Sequence, residues 1–321
     1  MLKQLGTAAL AIAMMAAGTL AAKAEDTLKI AIGHRGNWEN SPCELGQEAG
    51  IFKKHGLKLD IMYTQGGGET MQAVISGSVD IGVGVGTQGV MGAFAKGAPV
   101  RAIANSTTGA HDLYWYVPAN SPIKSIKDAN GKTIAYSSSG SSTNVTVLAL
   151  IKELGIDAKP VATGSPSSTF TQAMTGQVDV GWSSPPFGVK ALDEGKIRVV
   201  ARGSDVPTQR NQTVRVMITN VPTLKGKDDQ IKRFLQAYSE TLDWMYSSDD
   251  ALNAYAKWVK ITPALAKRVR EEFYPKDNLR LNRLDDMDDA MKDAVDLKML
   301  PKPLTQAQLD QLFQYPFGAK K

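Results

Sequence analysis

Between a short strand and a helix this chain places Ser137-Ser138-Ser139-Gly140-Ser141-Ser142-Thr143, five serines, a threonine and a glycine in seven positions. The strand is Thr133-Ile134-Ala135-Tyr136, launched by the Asn130-Gly131 turn. The helix shows Val147, Leu148, Ile151 and Leu154 at helical spacing, and Gly155 is placed to end it. Such a loop presents unpaired backbone N–H groups, several hydroxyls and the positive end of a helix dipole, which together make an anion-binding nest. A helix cap requires one or two serines, and this run exceeds that. Ser137, Ser138, Ser142 and Thr143 are therefore candidate ligands of a small anion.

Other constellations carry less. Gly84-Val85-Gly86-Thr87-Gln88-Gly89 matches a dinucleotide fingerprint, but the next strand ends at Asn105 where that fingerprint needs an acidic residue. Ser121-Pro122-Ile123-Lys124 matches a serine–lysine motif without its companion motifs, and its proline argues for a loop. No GxSxG nucleophile elbow exists. The three histidines and the single cysteine, Cys43, stand apart and have no metal-ligand spacing. The chain is expected to use no cofactor and no metal.

The elements around the serine loop predict where further ligands lie. Leu28 to Gly33 reads as a first strand, and the loop leaving it brings His34, Arg35, Asn37 and Trp38 to its carboxyl end. Ser41-Pro42-Cys43-Glu44 then reads as a capping box opening a helix that runs to Gly56. Leu57 to Ile61 is a second strand, and Val79 to Val85 a third, buried one that delivers Thr87 and Gln88. Val100 to Ala104 and His111 to Val117 add two more, with His111 a further candidate ligand. Trp38, Trp182 and Phe187 are expected to form an aromatic wall around the body of a planar or apolar solute.

Met1 to Ala24 reads as a cleaved export signal: Lys3, an apolar stretch from Leu5 to Leu20, and an A-x-A site at Ala22-Lys23-Ala24. Cys43 lies far from that point, so it cannot carry the lipid of a lipoprotein, and a lone cysteine forms no internal disulfide. Periplasmic residence is the expectation. Losing Lys3 and Lys23 lowers the net charge from +5 to +3, with no basic run, so nucleic acid is not an expected partner.

The chain also repeats itself. Gln72 to Gly82, with Gly77-Ser78-Val79-Asp80-Ile81-Gly82, has a counterpart in Thr171 to Gly181, with Gly176-Gln177-Val178-Asp179-Val180-Gly181. Lys96 to Ala104 has a looser one in Glu194 to Ala201, and the strand at Leu28 corresponds to that at Thr133. Two α/β lobes with a cleft at the carboxyl ends of their strands follow. The predicted division is 25–116 and 218–321 for the first lobe and 117–217 for the second, with crossings near Val117-Pro118 and Met217. Two crossings make a hinge, and a solute touching both lobes favours closure.

With Glu48-Ala49-Gly50-Ile51-Phe52-Lys53-Lys54-His55-Gly56-Leu57, the two Gly-x-Val-Asp repeats and Ser125 to Ile134, the mature chain resembles the periplasmic solute-binding proteins of the nitrate, taurine and alkanesulfonate class of ABC importers. The resemblance implies a type II clamshell whose lobes are each a doubly wound mixed sheet with flanking helices. It implies a non-catalytic monomer that captures a small sulfonate, nitrate or aromatic acid and delivers it to an inner-membrane permease with its ATPase. Gly86-Thr87-Gln88 departs from the many members that carry an acidic residue there, suited to an amine. The alternative is an enzyme on the same fold acting on an aromatic or pyrimidine precursor; the relatives that make a pyrimidine use a cysteine-rich motif that this chain lacks.

Overall fold

The computed structural model describes residues 25–315, so the expected export signal at 1–24 lies outside the described residues. Ten strands follow in order: β1 (Asp26–Ile32), β2 (Leu57–Tyr63), β3 (Ile81–Gly86), β4 (Val100–Thr108), β5 (Tyr114–Pro118), β6 (Thr133–Tyr136), β7 (Lys159–Ala162), β8 (Gly181–Ser183), β9 (Ile197–Arg202) and β10 (Thr213–Asn220). In the first half, α1 (Pro42–Glu48) and α2 (Ile51–Lys54) lie between β1 and β2, with α3 (Gly67–Ile75) and α4 (Thr87–Ala95) on either side of β3. In the second half come α5 (Ser142–Leu154), α6 (Pro166–Met174) and α7 (Val189–Asp193). The tail adds α8 (Val221–Gly226), α9 (Asp228–Ser247), α10 (Asp249–Val259), α11 (Pro263–Phe273), α12 (Met287–Asp296) and α13 (Gln306–Leu312).

The first lobe is a sheet of order β2-β1-β3-β10-β4, parallel among β1, β2 and β3, with β10 antiparallel to β3 and β4. In the second lobe β7 pairs with β6, and β6 reaches the residue before β8 through an Ile134–Val180 bridge. β8 and β9 then flank β5, each antiparallel to it. The lobes therefore share one plan, and each takes its antiparallel strand from the segment that arrives from the other lobe. Helices α9, α10 and α11 pack with α1 and α2 on one face of the first sheet, where Phe52, Phe234, Tyr238 and Tyr255 are buried. The opposite face buries Met71, Val74, Met91 and Ala290 under α3, α4 and α12.

The repeat seen in the sequence has a physical cause. Asp80 Oδ2 accepts the Lys29 N–H at 2.8 Å, and Asp179 Oδ2 accepts the Thr133 N–H at 2.9 Å. Each Gly-x-Val-Asp turn thus ties the end of a helix to a parallel strand of its lobe, β1 or β6, and Gly77 and Gly176 supply the positive φ (76° and 74°) that the turn requires. Thr64 with Thr70 (2.8 Å) and Thr163 with Thr169 (2.6 Å) repeat a second hydroxyl pair.

Two expectations change. The predicted lobe boundaries at 116/117 and 217/218 fall inside β5 and β10: all of β5 belongs to the second sheet and all of β10 to the first. The crossings are instead the connectors 109–113 and 203–212, which pair with each other through Gly109 N–H to Gln212 O and Ala110 N–H to Gln209 O, both 2.9 Å. A buried strand carries no mark of which sheet it will join, so sequence placed these ends by the repeat alone. Ser41 also makes no capping box. Its hydroxyl turns back to donate to the Trp38 carbonyl at 2.7 Å, and the helix breaks at Gly50 into α1 and α2.

Candidate functional site and relatives

At the junction of the lobes, the carboxyl ends of β1, β3 and β8 and the start of α5 close around a small cavity, about 20 Å³. That is room for roughly one water. Gly33, Gly67 and Gly84 supply bare backbone on one side, and a Cβ on Gly67 would lie 3.1 Å from the Gly84 carbonyl. Across from them stand Ser137, Ser141, Ser142, Thr143, Trp182 and Ser184.

The start of α5 is organised by its own hydroxyls. Ser141 is the N-cap and accepts the Asn144 N–H at 3.2 Å, while the Thr143 hydroxyl accepts the Ser137 N–H at 2.9 Å. The first helical bond runs from Val145 N–H to Ser141 O, which leaves the Ser142 and Thr143 N–H groups ahead of it at the positive end of the helix.

The charges come from residues that sequence reasoning missed. Arg215, on β10, is buried and forms a bidentate pair with Asp112 (3.2 and 3.0 Å). Its Nε donates to the Ser142 hydroxyl at 2.9 Å, and Glu39 Oε1 stands 3.9 Å from the guanidinium. Arg215 stays charged, because Asp112 and Glu39 together outweigh the loss of solvation. Two carboxylates therefore share one guanidinium in a dry site. Burial, and then the Asp112 charge, push the Glu39 carboxyl up to about 7, with Arg215 only partly opposing them. Burial, helped by Arg215, brings the His34 imidazole down to about 3 and keeps it neutral. Its ring lies 5.4 Å from that of Trp182. Four buried polar atoms among the lining residues have no hydrogen-bond partner: His34 Nδ1, Glu39 Oε2, Asn40 Oδ1 and Trp182 Nε1.

Of the residues expected from sequence, the structure brings His34, Ser137, Ser142, Thr143 and Trp182 to this cavity. The others stand elsewhere. Ser138 accepts the Gly68 N–H at 3.0 Å in a contact between the lobes. Asn37 also bridges the lobes, donating to the Ser184 hydroxyl. Arg35 stacks over Trp258 at 4.5 Å and donates to its carbonyl. Trp38 is core: its indole donates to the Tyr246 hydroxyl at 3.0 Å and packs edge-on to Tyr255 at 4.8 Å. Its polar neighbours Asn37, Glu39 and Asn40 are themselves buried. Gln88 bonds Gln212 at 2.6 Å, and Thr87 is buried at the start of α4 outside the cavity lining. His111 is exposed beside the Arg210 carbonyl, and the Phe187 ring packs on Gly36, so no aromatic wall encloses the cavity. Glu39 and Asn40 lie two and three residues past Asn37, within the same loop. Arg215 and Asp112 carried no local signal, since their meeting depends on β10 crossing back.

The two shifted groups make a pH prediction. A raised carboxyl loses its share of stability as pH rises from about 4.5 to 7, whereas the depressed His34 loses its share as pH falls from about 6.5 to 3. Between 4.5 and 6.5 the two slopes oppose each other. Replacing Glu39 with glutamine, which mimics the protonated form, is expected to leave stability near wild type at pH 4.5. It should become progressively more stable than wild type toward pH 7.5, by at most about 1.4 kcal/mol per pH unit. Urea titrations at four pH values read this; a difference independent of pH would mean that Glu39 is ionised throughout.

Among the described residues, no helix is long and apolar enough to cross a membrane, and no cluster of potential metal ligands is found. The family model described as NMT1/THI5 like matches residues 37–251. A 4-amino-5-hydroxymethyl-2-methylpyrimidine phosphate synthase of Saccharomyces cerevisiae, THI5, is 21% identical over 71% of this chain and 70% of its own. A binding protein of Brucella abortus is 24% identical over 74% of each chain. Among solved structures, the alkanesulfonate-binding protein SsuA from Xanthomonas axonopodis pv. citri, bound to MOPS, superposes with a TM-score of 0.73 at 19% identity, over 89% of this chain and 98% of that one. The periplasmic nitrate-binding protein NrtA from Synechocystis PCC 6803 gives 0.62 at 13% identity, over 77% and 70%. This chain belongs to the NMT1/THI5-like family and has the periplasmic-binding-protein fold.

Proposed function

We propose that the chain is the solute-binding component of an ABC importer, working in the periplasm and handing a small organic solute to an inner-membrane permease with its ATPase. The observation that carries this reading is the cavity itself. It is built from both lobes and holds unpartnered polar atoms from each, His34, Glu39 and Asn40 on one side and Trp182 on the other. Buried groups without partners are costly, and a solute that pairs with them is held by both lobes at once. An acceptor group of the sulfonate, nitrate or carboxylate kind fits the α5 start, where the Ser142 and Thr143 N–H groups precede the first helical bond, and the Trp182 indole lines the same cavity. The cavity is far smaller than an alkanesulfonate, so entry requires the lobes to part at the two connectors. The working unit is a monomer.

Trp182→Phe tests this, because it removes an indole N–H that bonds nothing within the protein. The smaller ring leaves a void in the second-lobe core, so the thermal midpoint without solute is expected to fall, and affinity is measured well below it. Affinity for whichever sulfonate, carboxylate, nitrate or pyrimidine raises that midpoint should fall by about 1.5–3 kcal/mol, the worth of a hydrogen bond to a charged group. Unchanged affinity, measured calorimetrically, would remove Trp182 from the site. A second reading, an enzyme on this fold, draws on the yeast synthases and on neutral His34 beside protonatable Glu39. Chemical change of a bound compound on prolonged incubation would favour it.

A further inference from the structure

Away from the cavity and the two chain crossings, helix α12 joins the lobes at a third place. It belongs to the first lobe, where Ala290 and Ala294 are buried in the core shared with α4. The chain leaving it lays the Met299 carbonyl over Gly92, 2.8 Å from where a Cβ would stand. Midway along the helix Asp293 is buried, and its Oδ2 accepts the Thr208 hydroxyl at 2.9 Å and the Gln212 amide at 2.8 Å. Both partners belong to the connector 203–212, so α12 grips the pivot itself. At the end of the helix the partners change lobe. Asp296 Oδ2 pairs with the Lys152 ammonium of α5 at 2.9 Å, and Leu297 packs against the second-lobe core.

We infer that α12 is a closure latch: Asp296 and Leu297 hold the far end of α5 in the closed arrangement, and so raise affinity for a solute they never touch. The inference rests on the cavity being the solute site. Lys152 lies ten residues beyond Ser142 on α5, about 15 Å from the cavity end of that helix.

The physical basis is where each contact falls relative to the pivot. The Asp293 bonds turn with the connector and survive rotation, whereas the contacts of α12 with α5 and the second-lobe core join bodies that rotate apart. Their free energy therefore counts only toward the closed state, and affinity rises by the factor through which they shift the closing equilibrium. The ion pair is partly exposed, with side-chain exposures of 52% for Lys152 and 34% for Asp296, so alone it is worth only a few-fold. Asp296 also accepts the Lys292 ammonium at 2.6 Å, so losing Lys152 does not strand its charge. Leu297 buries apolar surface against a lobe other than its own and carries the larger share. Because the latch forms after the solute has entered, it slows release and leaves capture unchanged.

Lys152→Met and Leu297→Ala test this, singly and together, by calorimetry and stopped-flow mixing with whichever sulfonate, carboxylate, nitrate or pyrimidine raises the thermal midpoint. Lys152→Met is expected to weaken binding about 2- to 5-fold and the double variant about 5- to 50-fold. Release should quicken, the rate of capture should hold, and every solute that binds should lose the same factor. A damaged lobe would also lower affinity, and Gly89→Ala separates the two causes. In that background, with the lobes held apart, the double substitution should change affinity by less than about twofold. Should Leu297→Ala misfold by circular dichroism, Lys152→Met carries the same comparison alone. Full affinity in the variants, or an equal loss with and without Gly89→Ala, overturns the latch and leaves the importer reading standing. Wild-type protein that binds none of the compounds overturns both.

Discussion

Replacing Arg215 with methionine is expected to cost about 3–5 kcal/mol of folding stability, the largest single effect of any cavity residue. Among the described residues, the guanidinium is the one cation paired with the Asp112 and Glu39 carboxylates, and Asp112 is only 2% exposed. Removing it strands that charge in a dry site and frees the Ser142 hydroxyl. Denaturant titration reads the loss as a lower midpoint with an unchanged slope. Adding Asp112→Asn should recover a large part, since an amide needs no counter-charge. A single-variant loss below about 1 kcal/mol would mean that water already reaches the pair, as it does for surface ion pairs. Because Arg215 lies on a strand of the first sheet and bonds α5 of the second lobe, the variant should also loosen the fit of the lobes.

The second large effect concerns closure. Gly68 on α3 and Gly89 on α4 face the serine loop so closely that a Cβ on either would lie 2.1 Å from the Ser139 or Gly140 carbonyl. Both contacts run between lobes and neither lies within one. Alanine at Gly89 should therefore leave the first lobe as stable as before, or up to about 1 kcal/mol more stable from helix propensity. The same change should exclude the closed arrangement and lower solute affinity by a hundredfold or more, because a solute then reaches only one wall. Small-angle scattering with saturating solute is the direct measurement: wild type contracts and Gly89→Ala keeps its larger radius of gyration. Contraction in the variant would show that the 139–140 loop yields without cost and that glycine there serves only its own helix.

Much of this was legible from residues that act on near neighbours. Ser141 caps α5 from its own chain, and Asp80 and Asp179 fasten their lobes through turns that recur as a pattern. Hydrogen bonds of this range are written in spacing, so the serine loop, the internal repeat and the two-lobed α/β class could be read directly. Trp38 could not be assigned in that way, because whether a polar loop is exposed depends on what folds over it; α9 and α10 bury it from more than two hundred residues away.

The tertiary structure alone decided the charge of the site. The swap of β5 and β10 between the sheets carries Arg215 back to Asp112, a hundred positions earlier, and sets Glu39 beside both. Composition counts these groups as full charges in water. Burial pushes one of these carboxyls up to about 7 and leaves one of its oxygens without a partner, and burial is a property of distant segments meeting. The sequence by itself determined that a serine-rich loop opens a helix in one of two repeated α/β lobes. Only the fold showed that this loop faces a cleft whose other wall is acidic.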